Sequence, residues 1–207
     1  ATNNMNVILS AAINDLQEVI LVGSRGNARA KIESPVPVDV IKYSDVGINT
    51  ARMDLTSSLN YAAPSFNFNK QSGADGADHL ELGTLRGLGP DQTLVLINGK
   101  RRHSTALVAL FGTRGRGNSG VDLNGFSQSS VDRIEILRDG ASAQYGSDAI
   151  AGVMNVILKK NTNEWNITTG LAGYYDPKFN TYQFKNNNDY LYDKKVDGLT
   201  QNIGINK

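Results

Sequence analysis

Short apolar runs separated by polar, glycine-rich spacers set the pattern of this chain. Val7-Ile8-Leu9 and Val19-Ile20-Leu21-Val22 read as brief β-type runs, and Val36-Pro37-Val38-Asp39-Val40-Ile41 alternates in part. Pro35 and Pro37 place that third run at a sheet edge or a strand start, because proline cannot donate to a ladder. Asn49 or Thr50 is the expected cap of a helix reaching Tyr61, with Met53, Leu55 and Leu59 on its buried side and Pro64 as its stop. Phe66-Asn67-Phe68-Asn69 alternates with period two, and residues 71–78 form a polar, glycine-rich loop.

Residues 80–86, 94–97 and 100–103 read as three strands. The Asn98-Gly99 pair between the last two is a two-residue hairpin signal, since both positions tolerate positive φ. A long glycine-rich loop covers 111–125, and 127–131 predicts a single helical turn. In 132–137, Ile134 and Ile136 alternate with Arg133 and Glu135. A short helix over 141–145 and a strand over 153–158 follow. The pattern then changes. From Trp165 to Tyr175 the larger apolar groups recur on one face of a long strand, the length and period of a membrane β-strand. A hydrophilic loop spans 176–198. Leu199, Ile203 and Ile205 then alternate with Thr200, Asn202 and Asn206, and this second strand stops at the end of the chain.

Composition narrows the class. The chain has 207 residues, 20 % of them charged, and a formal net charge of +1, the profile of a globular domain with a real core. Near-neutral charge offers no electrostatic case for a nucleic-acid partner. There is no cysteine, which excludes disulfides and thiolate metal sites, and His79 and His103 alone leave no metal centre to expect. No run approaches the length of a membrane-spanning helix. The first basic residue is Arg25, so the start does not read as a secretory signal, and the initial Ala1 leads us to expect that a leader or upstream module precedes it. The 21 glycines against 5 prolines favour short strands and tight turns.

Gly115-Arg116-Gly117-Asn118-Ser119-Gly120 matches G-x-G-x-x-G, but the following Val121-Asp122-Leu123-Asn124-Gly125 is a poor helix start, so a loop is favoured over a dinucleotide site. Gly99-Lys100 ends in Arg101 and has Leu94 where a phosphate loop needs glycine. Ser142 lacks the second glycine of a nucleophile elbow, and neither histidine has an evident serine partner. Asp75, Asp78 and Glu81 are read as loop charges. No catalytic set and no cofactor are expected. Lys100-Arg101-Arg102-His103 is read as a solvated strand end, with contact to an anionic ligand as the other reading.

The run VDRIEILRDGASAQYGSDAIAGVMNVILK at 131–159 closely resembles the closing block of the plug in TonB-dependent receptors. Leu85-Arg86-Gly87-Leu88-Gly89, followed by Leu94-Val95-Leu96-Ile97-Asn98-Gly99, resembles the family's central arginine-glycine strand and hairpin. Leu16-Gln17-Glu18-Val19-Ile20-Leu21-Val22-Gly23-Ser24-Arg25 resembles its opening segment, and the likeness keeps this order over 16–160. It implies an α+β fold: a small mixed β-sheet plug with short helices, followed by a stub of an outer-membrane β-barrel. The expected organisation is the end of a preceding module or linker over 1–15, the plug over 16–160, and the first barrel strand, loop and partial second strand over 161–207.

The resemblance further implies the gating and ligand-contacting domain of a receptor that sits in the cell outer membrane. Such a receptor takes up a scarce ligand (siderophore, cobalamin, peptide or oligosaccharide) through a barrel of about 22 strands. Its partners would be the TonB energy-transducing protein, its own barrel and a small ligand. Glu18, Val19, Ile20, Leu21 and Val22 resemble a TonB-binding box, which would pair by strand addition; a plain first strand of the plug is the other reading. Arg86 and Arg138 resemble plug arginines that pair with barrel glutamates. Without a barrel they are expected beside Glu135 or Asp132, or solvated. Gln71, Asp75, His79, Arg114, Arg116 and Asn118 lie in the loops expected to face ligand. On this reading the chain is a piece of a longer receptor, soluble as an isolated fragment. Its hairpin stub would fold back on the plug, swap into a dimer or remain poorly ordered. The rival from another class is a free-standing soluble binding module with the plug fold.

Overall fold

A computed structural model describes residues 19–20, 22, 29–30, 37–50, 54–68, 70, 75–110, 115–139, 141–160, 165–175 and 196–206. Eleven strands are described: β1 (Val19–Ile20), β2 (Arg29–Ala30), β3 (Val38–Lys42), β4 (Phe66–Asn67), β5 (Thr84–Leu85), β6 (Thr93–Ile97), β7 (Lys100–Arg101), β8 (Val131–Leu137), β9 (Gly152–Leu158), β10 (Asn166–Tyr175) and β11 (Val196–Asn206). Three short helices accompany them: α1 (Tyr43–Thr50), α2 (Leu55–Ala62) and α3 (Ser142–Tyr145). The run expected over 7–9 lies outside the described residues.

The centre is a five-stranded mixed sheet of order β3-β8-β9-β6-β7. Every neighbouring pair is antiparallel except β6 and β9, which run parallel with Thr93 opposite Gly152. β3 occupies an edge, where Pro37 just before it costs no ladder bond. Asn98 turns the β6–β7 hairpin at φ 48 with Gly99 at φ 81, as the Asn-Gly pair predicts. Asn98 also stitches the turn to β9, its Oδ1 accepting the Leu158 N–H at 3.0 Å. At Gly152 the backbone holds φ 144, and a Cβ there would press into the Leu137 carbonyl oxygen, so only glycine opens β9 at this point.

Both faces of the sheet are covered. On one face Val95, Ile134, Ile136, Met154 and Val156 meet Leu55 and Leu59 of α2, together with Phe66, Leu85 and Leu123. On the other, Leu94, Leu96, Leu137 and Val153 meet Val38, Ala141, Ala149 and Val22. The expected alternation in β8 is therefore real, but its second face is buried as well: Glu135 and Leu137 are inaccessible along with Ile134 and Ile136.

Several boundaries differ from expectation. The single helix expected from Asn49 or Thr50 is replaced by α1 and α2, and the cap of α2 is Asp54. Its carboxylate accepts the Ser57 N–H at 2.8 Å, and the Thr56 hydroxyl lies 3.0 Å from it, satisfying first-turn donors that the earlier residues leave open. Burial alone would raise the Asp54 carboxyl, but the hydrogen bonds from Ser57 and Thr56 outweigh it and hold it below the usual carboxylate value. The strand expected over 80–86 shrinks to β5, paired with β4, because Asp75–His79 forms a 3₁₀ turn and Leu82 makes only an isolated bridge to Asp122. β7 ends at Arg101, and β11 begins at Val196, inside the stretch expected to be loop.

β10 and β11 form an antiparallel hairpin separate from the main sheet, with Ile167 opposite Ile205 and Thr169 opposite Ile203. Among the described residues no helix is long and apolar enough to cross a membrane, which says nothing about strands.

Candidate functional site

Three surfaces carry the residues singled out from the sequence. The first is the N-terminal segment. Val19–Ile20 forms β1 and pairs antiparallel with β2, Val19 opposite Ala30. Glu18 and Leu21 lie outside the described residues. Val22 is 1 % exposed and its N–H donates to Glu135 Oε2 at 3.1 Å. The described residues of this segment thus form a short two-stranded ribbon, with Val22 tied to the main sheet.

The second surface holds Arg86 and Arg138, which the fold brings together. Arg86 follows β5 in a left-handed conformation, φ 57, and its Nη1 donates to the Arg138 carbonyl oxygen at 2.8 Å. It also lies 3.8 Å from Asp139. Arg138 grips Asp39 through Nε and Nη2, each at 3.0 Å, joining the end of β8 to the edge strand β3. Both guanidinium groups remain about half exposed, so these ion pairs contribute little to stability. Glu135, expected beside them, is a correction. It is fully buried and pairs with Arg133, whose Nη2 lies 3.1 Å from Oε1, while Asp132 pairs with Arg133 too. The reason is the period of the strand: Arg133, Glu135 and Leu137 share the face that Val22 covers.

The third surface is a pair of loops. Residues 105–110 and 115–120 are tied together by Thr105 N–H to Gly120 O at 2.8 Å and Ala109 N–H to Asn118 O at 3.0 Å. Leu107 of this loop lies over Gly76 in the 3₁₀ turn Asp75–His79, so the two candidate loops are neighbours. His79 and Arg116 are exposed. Asn118 Nδ2 donates to Asp91 at 2.7 Å and braces the loop. Gln71 and Arg114 lie outside the described residues. The sequence reading overlooked Leu107, Val108 and Leu110, which are exposed here at 40 %, 44 % and 60 %. Their signal was the apolar run just before the glycine-rich loop.

Two other motifs resolve simply. No helix follows Gly115–Gly120, only a 3₁₀ turn at Leu123–Gly125, so the loop lacks the helix N-terminus that would hold a pyrophosphate. In the basic cluster, Arg101 bonds Asp148 at 2.6 Å and the Tyr145 carbonyl oxygen, which ties β7 to the segment around α3.

The hairpin has two unlike faces. Ile167, Leu171, Leu199, Ile203 and Ile205 are all more than 60 % exposed. The opposite face carries Thr168, Gly170, Ala172, Thr200, Asn202 and Gly204. That small and polar face touches the plug at its Gly204 end: a Cβ at Gly204 would stand 2.7 Å from the Ser129 Cβ, in the 3₁₀ turn Gln128–Ser130. Only the absence of a side chain lets β11 approach there.

The mixed sheet closed by the 131–159 block and the adjacent arginine pair are the features on which the sequence resembles a plug domain. The sequence model described as "TonB-dependent Receptor Plug Domain" matches residues 30–153, and the chain belongs to that family. The ferrienterobactin receptor of Escherichia coli is 29 % identical over 167 residues, 81 % of this chain and 21 % of its own length. The iron-regulated outer membrane virulence protein of Vibrio cholerae is 32 % identical over 154 residues, 72 % of this chain and 21 % of its own length. The crystal structure of the siderophore receptor PirA from Acinetobacter baumannii superposes with a TM-score of 0.52 at 28 % identity, covering 72 % of this chain and 21 % of that one. The chain therefore spans about a fifth of the length of the relatives it matches.

Proposed function

We propose that this plug gates an outer-membrane receptor that takes up a ferric siderophore, driven by TonB. The observation that carries the reading is the β10–β11 hairpin that follows the plug-family domain in the chain. The hairpin touches the plug at Gly204, on its small and polar face, and exposes large aliphatic side chains on the other face. That is the arrangement a membrane barrel wall requires around a polar lumen. A free-standing soluble module has no use for five large aliphatic side chains exposed on one hairpin.

Within this reading, residues 18–22 supply the strand that TonB recognises by backbone pairing. Arg86 and Arg138, half exposed and adjacent, present their cations to acidic groups of the barrel wall. His79, Arg116 and the apolar Leu107, Val108 and Leu110 suit an anionic, aromatic iron chelate. The named relatives support the ligand class, since two of them carry enterobactin or siderophore in their names.

The test is uptake of radiolabelled ferric enterobactin by cells whose sole enterobactin receptor carries this plug. Uptake should require TonB and should vanish when residues 18–22 are deleted. Uptake that persists without TonB would overturn the coupling. Transport of a non-siderophore ligand in its place would overturn the ligand class.

A further inference from the structure

A carboxylate buried in mid-sheet is costly unless its oxygens are satisfied. Glu135 is fully buried, in the strand next to the sheet centre. Two partners belong to the sheet itself. Arg133 approaches Oε1 through Nε at 3.2 Å and Nη2 at 3.1 Å. Asn155, directly across on β9, donates to Oε2 at 3.4 Å and accepts the Gly99 N–H at 2.9 Å. Another partner is of a different kind. It is the backbone N–H of Val22, 113 residues away in sequence and outside every ladder of the main sheet.

We propose that Glu135 is a positioning residue whose carboxylate holds the N-terminal segment onto the sheet at Val22, as the releasable joint between that segment and the rest of the plug. Among the described residues the joint is made by a charge-assisted hydrogen bond and a valine side chain seated among Val38, Leu94, Leu96, Leu137 and Val153. When Val22 leaves, Glu135 keeps Arg133 and Asn155, so no charge is stranded and the five-stranded ladder stays whole. A segment held this way opens locally at far lower cost than the sheet unfolds. The functional meaning of this joint rests on the reading of 18–22 as the partner strand; the anchoring itself does not.

The chain contains no cysteine, so one introduced thiol reports one site. Val22→Cys should react slowly with a maleimide in an otherwise unaltered chain. With Glu135→Ala it should react about 10- to 100-fold faster, the loss expected for one hydrogen bond to a charged group. Glu135→Gln keeps an acceptor oxygen and the volume of the side chain, and should give a smaller acceleration. Met154→Cys, in the opposite cluster, should stay protected in all three backgrounds. Unchanged reactivity at position 22 in both Glu135 variants would overturn the proposal. So would equal acceleration at position 154, which would make Glu135 a general support of the sheet. Crosslinking of Val19→Cys to the TonB periplasmic domain is scored separately: its failure would defeat the partner reading while leaving the anchoring result standing.

Discussion

Strands β9 and β10 are neighbours in the chain and end in opposite environments. In β9 every residue from Gly152 to Ile157 is buried, because β8 and β6 flank it and apolar layers cover both faces. In β10 Ile167 and Leu171 are 68 % and 70 % exposed, and among the described residues β11 alone pairs with it. Both segments are rich in apolar residues. What differs is the pattern: GVMNVIL is nearly continuous, as suits a strand covered on both sides, whereas NITTGLAGYY alternates. Apolar content tells how much surface a strand can bury. The arrangement along the strand tells how many covered faces it is built for.

The contrast can be broken by mutation. Ile136→Ala, in the layer under α2, should cost about 2–5 kcal/mol of folding stability through the cavity it leaves, read from the urea midpoint. Gly204→Val should wedge β11 away from Ser129 at about 1 kcal/mol, with faster hydrogen exchange confined to the hairpin. If exchange rose throughout the main sheet instead, hairpin and plug would be one cooperative unit and the contrast would fail. Asp54→Ala should cost about 1 kcal/mol by uncapping α2. Because folding lowers the Asp54 pKa, this contribution is full above the unfolded value of about 3.9 and is lost as pH falls through the lower folded value. Urea curves of the parent and the variant should therefore converge in strong acid. Ile203→Thr, on the outward row, should change stability in water by less than about 0.5 kcal/mol. The same change should weaken partition into lipid vesicles, the readout that separates a membrane face from an idle one.

Much of the plug was legible because its signals are local. Asn98-Gly99 specifies its turn through φ alone, and the apolar runs at 93–97, 131–137 and 152–158 are long enough to name strands. Helix boundaries were less legible: Asp54 outcompeted Asn49 and Thr50 as a cap because Ser57 and Thr56 stood in reach of its carboxylate. The candidate site was half legible. Position within the 85–89 and 131–159 blocks picked out Arg86 and Arg138, but their mutual contact and the Asp39 clamp depend on β3 pairing with β8. Glu135 was assigned to the wrong neighbours, since nothing near it in sequence announces Val22.

The sequence by itself determined the family, the mixed α+β character and the point after Lys160 where the strand period changes. Those are properties of short windows, set by propensity, turn chemistry and alternation. Only the tertiary structure decided which face of β8 took the N-terminal segment, that Glu135 would be spent on a backbone N–H, and that Gly204 would meet Ser129. Each of those depends on contacts between residues far apart in the chain, where register and close packing choose among partners that local pattern leaves equivalent.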